Sequence, residues 1–314
     1  MAAIPLVGGS TISAEQMGFT LIHEHLRTGS DGVRFQWPFL YDDTRQFDRA
    51  VDEVSRALSS GVQTICDPTV LGLGRHAHFM ERVAEATGAQ IVAATGIYTY
   101  RDLPHFFDNR SIDFMADLFV HDISVGIQGT ATKAGFIKFA TDEPGITPGV
   151  EKVIRAAARA HLRTKCPIVT HSHAQNGSGL EQIALLEEEG VDLSRVVIGH
   201  VGDTDDIPYL TRVLDRGVFI GLDRYGLDIY LPTGRRNQAV ATLIEKGYAG
   251  QLLLSQDACA TIDWFEPEQI KEMVPDWSMS FIPTTVLPAL KQLGVSDEEI
   301  RTMTVDNPRR LFER

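Results

Sequence analysis

Cysteine is scarce in this chain: Cys66, Cys166 and Cys259 are the only three among 314 residues. An odd, widely spaced set makes neither a disulfide framework nor a cysteine-rich zinc site, and it fits a reduced, cytoplasmic setting. Basic residues are also outnumbered, 29 Lys and Arg against 42 Asp and Glu, which leaves a net charge of −13. That balance argues against a nucleic-acid or anionic-membrane partner, because both need basic patches. No apolar run approaches the roughly 18 residues that span a bilayer. The stretch Met1–Val7 has no basic region leading into an apolar core, so no signal peptide is expected. Nor does a Gly-x-Gly-x-x-Gly follow the first apolar run, which argues against an open, doubly wound dinucleotide-binding sheet. Gly72-Leu73-Gly74 lacks the third glycine and reads as a plain loop.

What is present is a regular alternation. Short apolar, β-branched runs lie at Phe19–Ile22, Thr64–Cys66, Ile91–Ala94, Gly135–Phe139, Pro167–Thr170, Val196–Ile198, Phe219–Leu222 and Leu252–Leu254. Between them, Phe47–Leu58, Phe79–Thr87, Ile112–Gly126, Val150–Arg163, Gly179–Glu189 and Arg236–Lys246 repeat apolar residues at helical spacing. Gly61, Gly88, Gly190, Gly217 and Gly247 stand where such helices would end. Strands apolar on both faces that alternate with helices form a parallel sheet. Eight such units predict one closed (β/α)₈ barrel over residues 1–314, a length that fits the roughly 250 residues of a barrel plus insertions. The segment Asp263–Pro283 is the longest poorly patterned stretch. It carries Trp264, Phe265, Trp277 and Phe281, and long loops of this kind carry function.

A (β/α)₈ barrel does its chemistry at the C-terminal ends of its strands. The first run leads into His23-Glu24-His25, the fourth holds Lys138, the fifth ends at His171 and the sixth at His200. The eighth is followed by Ser255-Gln256-Asp257. Imidazole is a common ligand of transition metals, and carboxylate completes such a set. His76, His78, His121 and His161 read as surface or helix-capping residues, His105 as a loop residue, and His173 as a weaker rival of His171. Lys138 is the most informative position, because a charged ammonium is costly inside a barrel. It is a salt-bridge partner of Asp257, a Schiff-base lysine, or a neutral amine that takes up carbon dioxide to become a metal-bridging carbamate.

Several collinear stretches carry a resemblance. They are Gly18-Phe-Thr-Leu-Ile-His-Glu-His25-Leu-Arg27, Ala94-Thr-Gly-Ile-Tyr98-Thr-Tyr100, Ala134-Gly-Phe-Ile-Lys138, Pro167-Ile-Val-Thr-His171, Ile198-Gly-His200, Ile220-Gly-Leu-Asp-Arg224 and Asp257-Ala-Cys-Ala-Thr-Ile-Asp-Trp264. Over essentially its whole length the chain resembles the phosphotriesterase family of the amidohydrolase superfamily, and within it the phosphotriesterase-like lactonases. The resemblance implies two divalent ions, zinc or cobalt, iron or manganese. It implies His23, His25 and Asp257 as ligands of the more buried ion, His171 and His200 as ligands of the other, and carboxylated Lys138 with a hydroxide as bridges. Asp257 would also carry the proton to the leaving group. Gln256 stands where close relatives have histidine, which puts the tuning of the neighbouring ligand in question.

The metal set alone names no substrate. By resemblance, Tyr98 approaches the metals and the ring oxygen of a lactone, and Arg224 holds the tyrosines or a polar substrate group. Tyr100, Leu73, Cys259, Ile262 and Trp264 complete the expected substrate contacts. An apolar groove beside such a site suggests N-acyl-homoserine lactones and other γ- or δ-lactones, with slow hydrolysis of organophosphate triesters alongside. A dedicated phosphotriesterase and a non-catalytic metal- or ligand-binding relative are the alternatives. The resemblance further implies a homodimer, for which the segment Phe35-Gln-Trp37-Pro-Phe39 is a candidate surface.

Overall fold

The structure is a computed structural model that describes residues 3–313. Met1, Ala2 and Arg314, the ends of the expected 1–314 domain, lie outside the described residues. Eight parallel strands follow one another in sequence order: β1 Thr20–Leu21, β2 Thr64–Asp67, β3 Gln90–Ile97, β4 Ala134–Ala140, β5 Ile168–His171, β6 Val196–Ile198, β7 Phe219–Leu222 and β8 Leu252–Leu254. The ladder runs unbroken from β1 to β8. The helices between them are α1 Asp43–Ser59, α2 Ala77–Thr87, α3 Ile112–Ser124, α4 Pro148–Thr164, α5 Ser178–Glu188, α6 Ile207–Leu214 and α7 Thr233–Glu245. A π-helical turn, Ile282–Val286, leads into α8, Leu287–Gln292, which packs beside α7. No helix of the described residues is long and apolar enough to cross a membrane.

This is the expected (β/α)₈ barrel, and every one of the eight apolar runs became a strand. The elements that went unread include the antiparallel pair Ile4–Pro5 and Thr11–Ile12, the eight-residue α6, opened by Asp206, whose side chain caps Tyr209 N–H, and the short helices Asp31–Gln36, Pro267–Met273, Leu287–Gln292, Asp297–Arg301 and Asn307–Phe312. All are too short to show a clear period.

Alternation along each strand sorts the core into two clusters. Leu21, Ile65, Ile91, Ile137, Ile168, Ile220 and Leu254 face the helices. Ile22, Cys66, Val92, Phe136, Val169, Val197, Phe219 and Leu253 fill the interior, one residue per β/α unit. The same interior cluster takes in Ile4, Leu6, Met17, Leu311 and Phe312, so both chain ends plug the floor.

The barrel closes at the opposite, C-terminal end. There the stretch after β1 pairs with the stretch after β8 through parallel bridges at His25 and Cys259 and at Thr28 and Ile262. Asp257 N–H donates to the His23 carbonyl at 3.0 Å, and His25 N–H to the Ala258 carbonyl at 2.8 Å. The seam that completes the barrel therefore runs through the candidate ligands themselves.

Candidate metal centre

One pleat above Phe136 the interior carries Lys138, which is 1% exposed. One pleat above Val169 it carries His171, and the seam places His23, His25 and Asp257 opposite. His200 follows β6 in a left-handed backbone conformation, φ 62°, and Asp257 shares it at φ 52°. Such angles are uncommon for residues with a Cβ and mark positions held by their surroundings. Gly96 on β3 is needed for a related reason. Its φ is 139°, and a Cβ there would run into the Lys138 carbonyl.

The donors converge. His23, His200 and Asp257 each offer a ligand atom, and these atoms lie within 4.8 Å of one another. Asp257 Oδ1 is 3.4 Å from His23 Nε2 and 3.2 Å from His25 Nε2, while its Oδ2 is 3.7 Å from His200 Nε2. The His171 ring stands edge-on to that of His200, with centroids 4.5 Å apart. Lys138 Nζ lies 3.1 Å from His23 Nε2 and donates to the Thr170 carbonyl at 3.1 Å. Asp257 pairs with the three rings and with Arg224, but among the described residues not with Lys138. The salt-bridge reading of Lys138 therefore fails.

Around the donors lies a shell of residues absent from the sequence reading. Buried Asp223 accepts from His23 Nδ1 and His200 Nδ1, each at 3.0 Å, and from His200 N–H at 2.8 Å. His25 Nδ1 meets Thr69 Oγ1 at 2.7 Å, and His171 Nε2 meets Asp142 at 3.1 Å. A ring that donates through one nitrogen presents the lone pair of the other, and such partners are the usual companions of metal-binding histidines. Asp257 is also held by Arg224 Nε at 3.1 Å. Arg224 pairs in turn with Asp203 at 2.8 Å, and Asp203 with fully buried Arg236 at 3.2 Å. The position of Asp223 at the end of β7 was the signal available for it.

Electrostatics fit a cation-binding site. Burial lowers His23 and His200 and brings His171 down to about 4, so these rings are neutral near pH 7 and able to offer a lone pair. Burial brings Lys138 down to about 7, within reach of a neutral amine. Burial would raise Asp257, but its polar and charged neighbours, the Arg224 guanidinium at 3.1 Å among them, outweigh it and hold the carboxyl well below the usual carboxylate range. Neutral imidazoles with fixed tautomers, one ionised carboxylate and a lysine able to lose its proton make a donor set suited to divalent ions.

Above the donors opens a cavity of about 150 Å³. Of the expected substrate contacts, Leu73, Tyr98, Arg224, Cys259, Ile262 and Trp264 line it. Tyr100 does not; its ring meets Tyr98 edge-on, 6.0 Å between centroids, and so braces that residue from behind. Tyr98 in turn stands edge-on to His171 at 5.3 Å, and burial raises its hydroxyl, so it remains a phenol. The apolar wall is extended by Leu227, Ile229, Tyr230 and Met273, none of which the sequence singled out. Trp277 is part of this wall, and its Nε1–H donates to the Gln256 carbonyl at 2.9 Å. The Gln256 side chain itself is buried, and among the described residues neither end of its amide has a partner. Asp263 fastens the start of the last loop by accepting from Ser30 N–H at 3.0 Å and Tyr41 O–H at 2.8 Å.

The other histidines stay apart. His76, His78, His105 and His121 are exposed, and His76 caps α2 through Phe79 N–H. His161 is not on the surface but 1% exposed; of its two expected roles the helix-end one holds, since its Nδ1 lies on the Cys166 carbonyl at 2.7 Å and fastens the end of α4 from inside. His173 lies beside the site but does not line the cavity.

Comparison with known proteins places the chain in a family. The sequence pattern of the Phosphotriesterase family matches residues 6–312. An aryldialkylphosphatase of Saccharolobus solfataricus is 55% identical over 98% of this chain and 99% of its own length. A phosphotriesterase homology protein of Mycobacterium tuberculosis is 45% identical over 96% and 95%. The solved structure of the phosphotriesterase from that organism superposes with a TM-score of 0.96 at 44% identity, covering 100% of this chain and 99% of the other. By whole-length sequence match and shared fold, the chain belongs to the phosphotriesterase family.

Proposed function

We propose that this protein is a hydrolase with two divalent metal ions that opens lactones and hydrolyses organophosphate triesters more slowly. The observation that carries this reading is the convergence of His23, His25, His171, His200, Lys138 and Asp257 beneath an apolar cavity walled by Tyr98. His23, His25 and Asp257 would hold one ion and His171 and His200 the other. Lys138 would join them after its neutral amine forms an N–C bond to carbon dioxide and releases one proton. When bound, the ions, whether zinc, cobalt, iron or manganese, supply Lewis acidity and lower the pKa of water.

The remaining work falls to the chain. The Asp257 carboxylate takes a proton from the attacking water and passes it to the leaving alkoxide. Arg224 keeps Asp257 ionised and, locked between Asp257 and Asp203, does not itself move a proton. The phenol of Tyr98 donates a hydrogen bond to the ring oxygen of a lactone. Leu73, Ile262 and Trp264 give an acyl chain an apolar path out of the site, which favours N-acyl-homoserine lactones and γ- or δ-lactones.

A dedicated phosphotriesterase is the second reading, favoured by the relative named aryldialkylphosphatase. One panel separates the two: acyl-homoserine lactones, simple lactones and paraoxon-like triesters, with metal content measured on the same sample. Lactones are expected to be turned over with the higher kcat/KM, at about two ions per chain. A triester equal to or better than the best lactone would overturn the lactonase reading, and protein that binds no metal would overturn both. The same reading includes a cytoplasmic homodimer. Phe35 and Phe39 support it, being 83% and 80% exposed on one short segment.

A further inference from the structure

Glu24 stands between His23 and His25, yet it takes no part in the donor set. It is fully buried, and among the described residues no cation pairs with it. A buried carboxylate without a counter-ion is costly unless its oxygens are well bonded. Here Oε1 accepts Gln256 N–H and Oε2 accepts Ala258 N–H, each at 2.8 Å. Those two amides flank Asp257, the residue held at φ 52°. Asp257 N–H goes to the His23 carbonyl at 3.0 Å, and Ala260 N–H to the His25 carbonyl at 2.9 Å. Every backbone amide from 256 to 258 is thus engaged by the stretch His23-Glu24-His25. The left-handed turn at Asp257 is overdetermined from one side.

We propose that Glu24 is the positioning residue of Asp257. Its two carboxyl oxygens accept from both neighbouring amides and set the backbone turn that aims the Asp257 side chain at His23 and His25 before any ion binds. The spacing follows from alternation. His23 and His25 can lean into the site because Glu24, between them, faces the other way and holds the opposing strand end. A glutamine in its place offers one acceptor oxygen and turns an N–H₂ donor toward an N–H donor, so one of the two grips is lost.

The inference rests on the proposal that Asp257 is a metal ligand, and its test separates the two. In E24Q, zinc retention against a chelator is expected to fall about 10–100-fold, the range for residues that orient metal ligands. The best lactone's kcat should fall with it and KM should hold. Zinc affinity equal to that of the unaltered chain overturns the proposal, whatever happens to thermal stability. A second measurement needs no variant. In the metal-stripped full-length chain, the Gln256 and Ala258 amides should stay protected from hydrogen exchange. If they exchange as fast as unprotected, solvent-exposed amides once metal is removed, the ion and not Glu24 holds the turn, and the proposal fails. Unaltered protein that binds no zinc would instead defeat the metal reading and leave the exchange result standing.

Discussion

At the floor of the barrel Phe136, Val169 and Leu253 meet Met17, Leu311 and Phe312 in a dry apolar plug. One pleat further along the same strands, Lys138 and His171 face His23, Asp257 and a cavity. The floor is held by contacts that any apolar residue of the right volume can make. The mouth is held by hydrogen bonds between specific atoms, from Asp223 on two rings to Glu24 on two amides. The same fold thus divides its tasks along the strand axis, stability below and chemistry above.

Four substitutions test how complete that division is. His23→Ala should lower activity by at least about 10²-fold, the upper scale for changes that merely reorient ligands. The circular dichroism spectrum should be unchanged and bound metal reduced. Full metal content with full activity would remove His23 from the site. Phe312→Ala is the converse case. It should cost about 3–5 kcal/mol of stability in denaturant titrations, while kcat per folded molecule stays the same. A loss of kcat there would show that floor and mouth are coupled. Asp223→Asn removes no candidate ligand, yet it should lower metal affinity or activity by about 10–100-fold, read by chelator competition. Tyr98→Phe should act least and selectively. Loss of one hydrogen bond worth about 1 kcal/mol, or roughly five-fold, should fall on lactones. An equal loss on triesters would leave Tyr98 as a packing residue.

The same division explains what could be read without coordinates. The floor and the strands were legible because strands buried on both faces write themselves as apolar runs. The donors were legible because imidazoles and a lysine at strand ends have few other reasons to be there. Glu24, Thr69 and Asp203 were not legible, and Asp223 offered only its place at a strand end. An acid or a threonine beside a ligand looks like ordinary polar sequence until distances show that it holds a ring or an amide. Tyr100 and His161 failed for a related reason, since a side chain's direction out of a loop or helix end is set by packing that no period records. Gln256 stood out in sequence, and the structure shows its backbone at work, on Glu24 and Trp277, while its amide finds no partner.

The tryptophans have a practical consequence. The chain has three, Trp37, Trp264 and Trp277, and none lies in the barrel core. Trp37 and Trp264 are 51% and 46% exposed, and Trp277 is tied to Gln256 at the edge of the cavity. Two of the three fluorophores therefore sit on the loop over the mouth, while the far-ultraviolet signal comes from the barrel beneath. Emission and circular dichroism will trace different transitions wherever that loop releases before the strands part. For the same reason, quenching of Trp264 by a molecule entering the cavity offers a direct readout of occupancy without turnover.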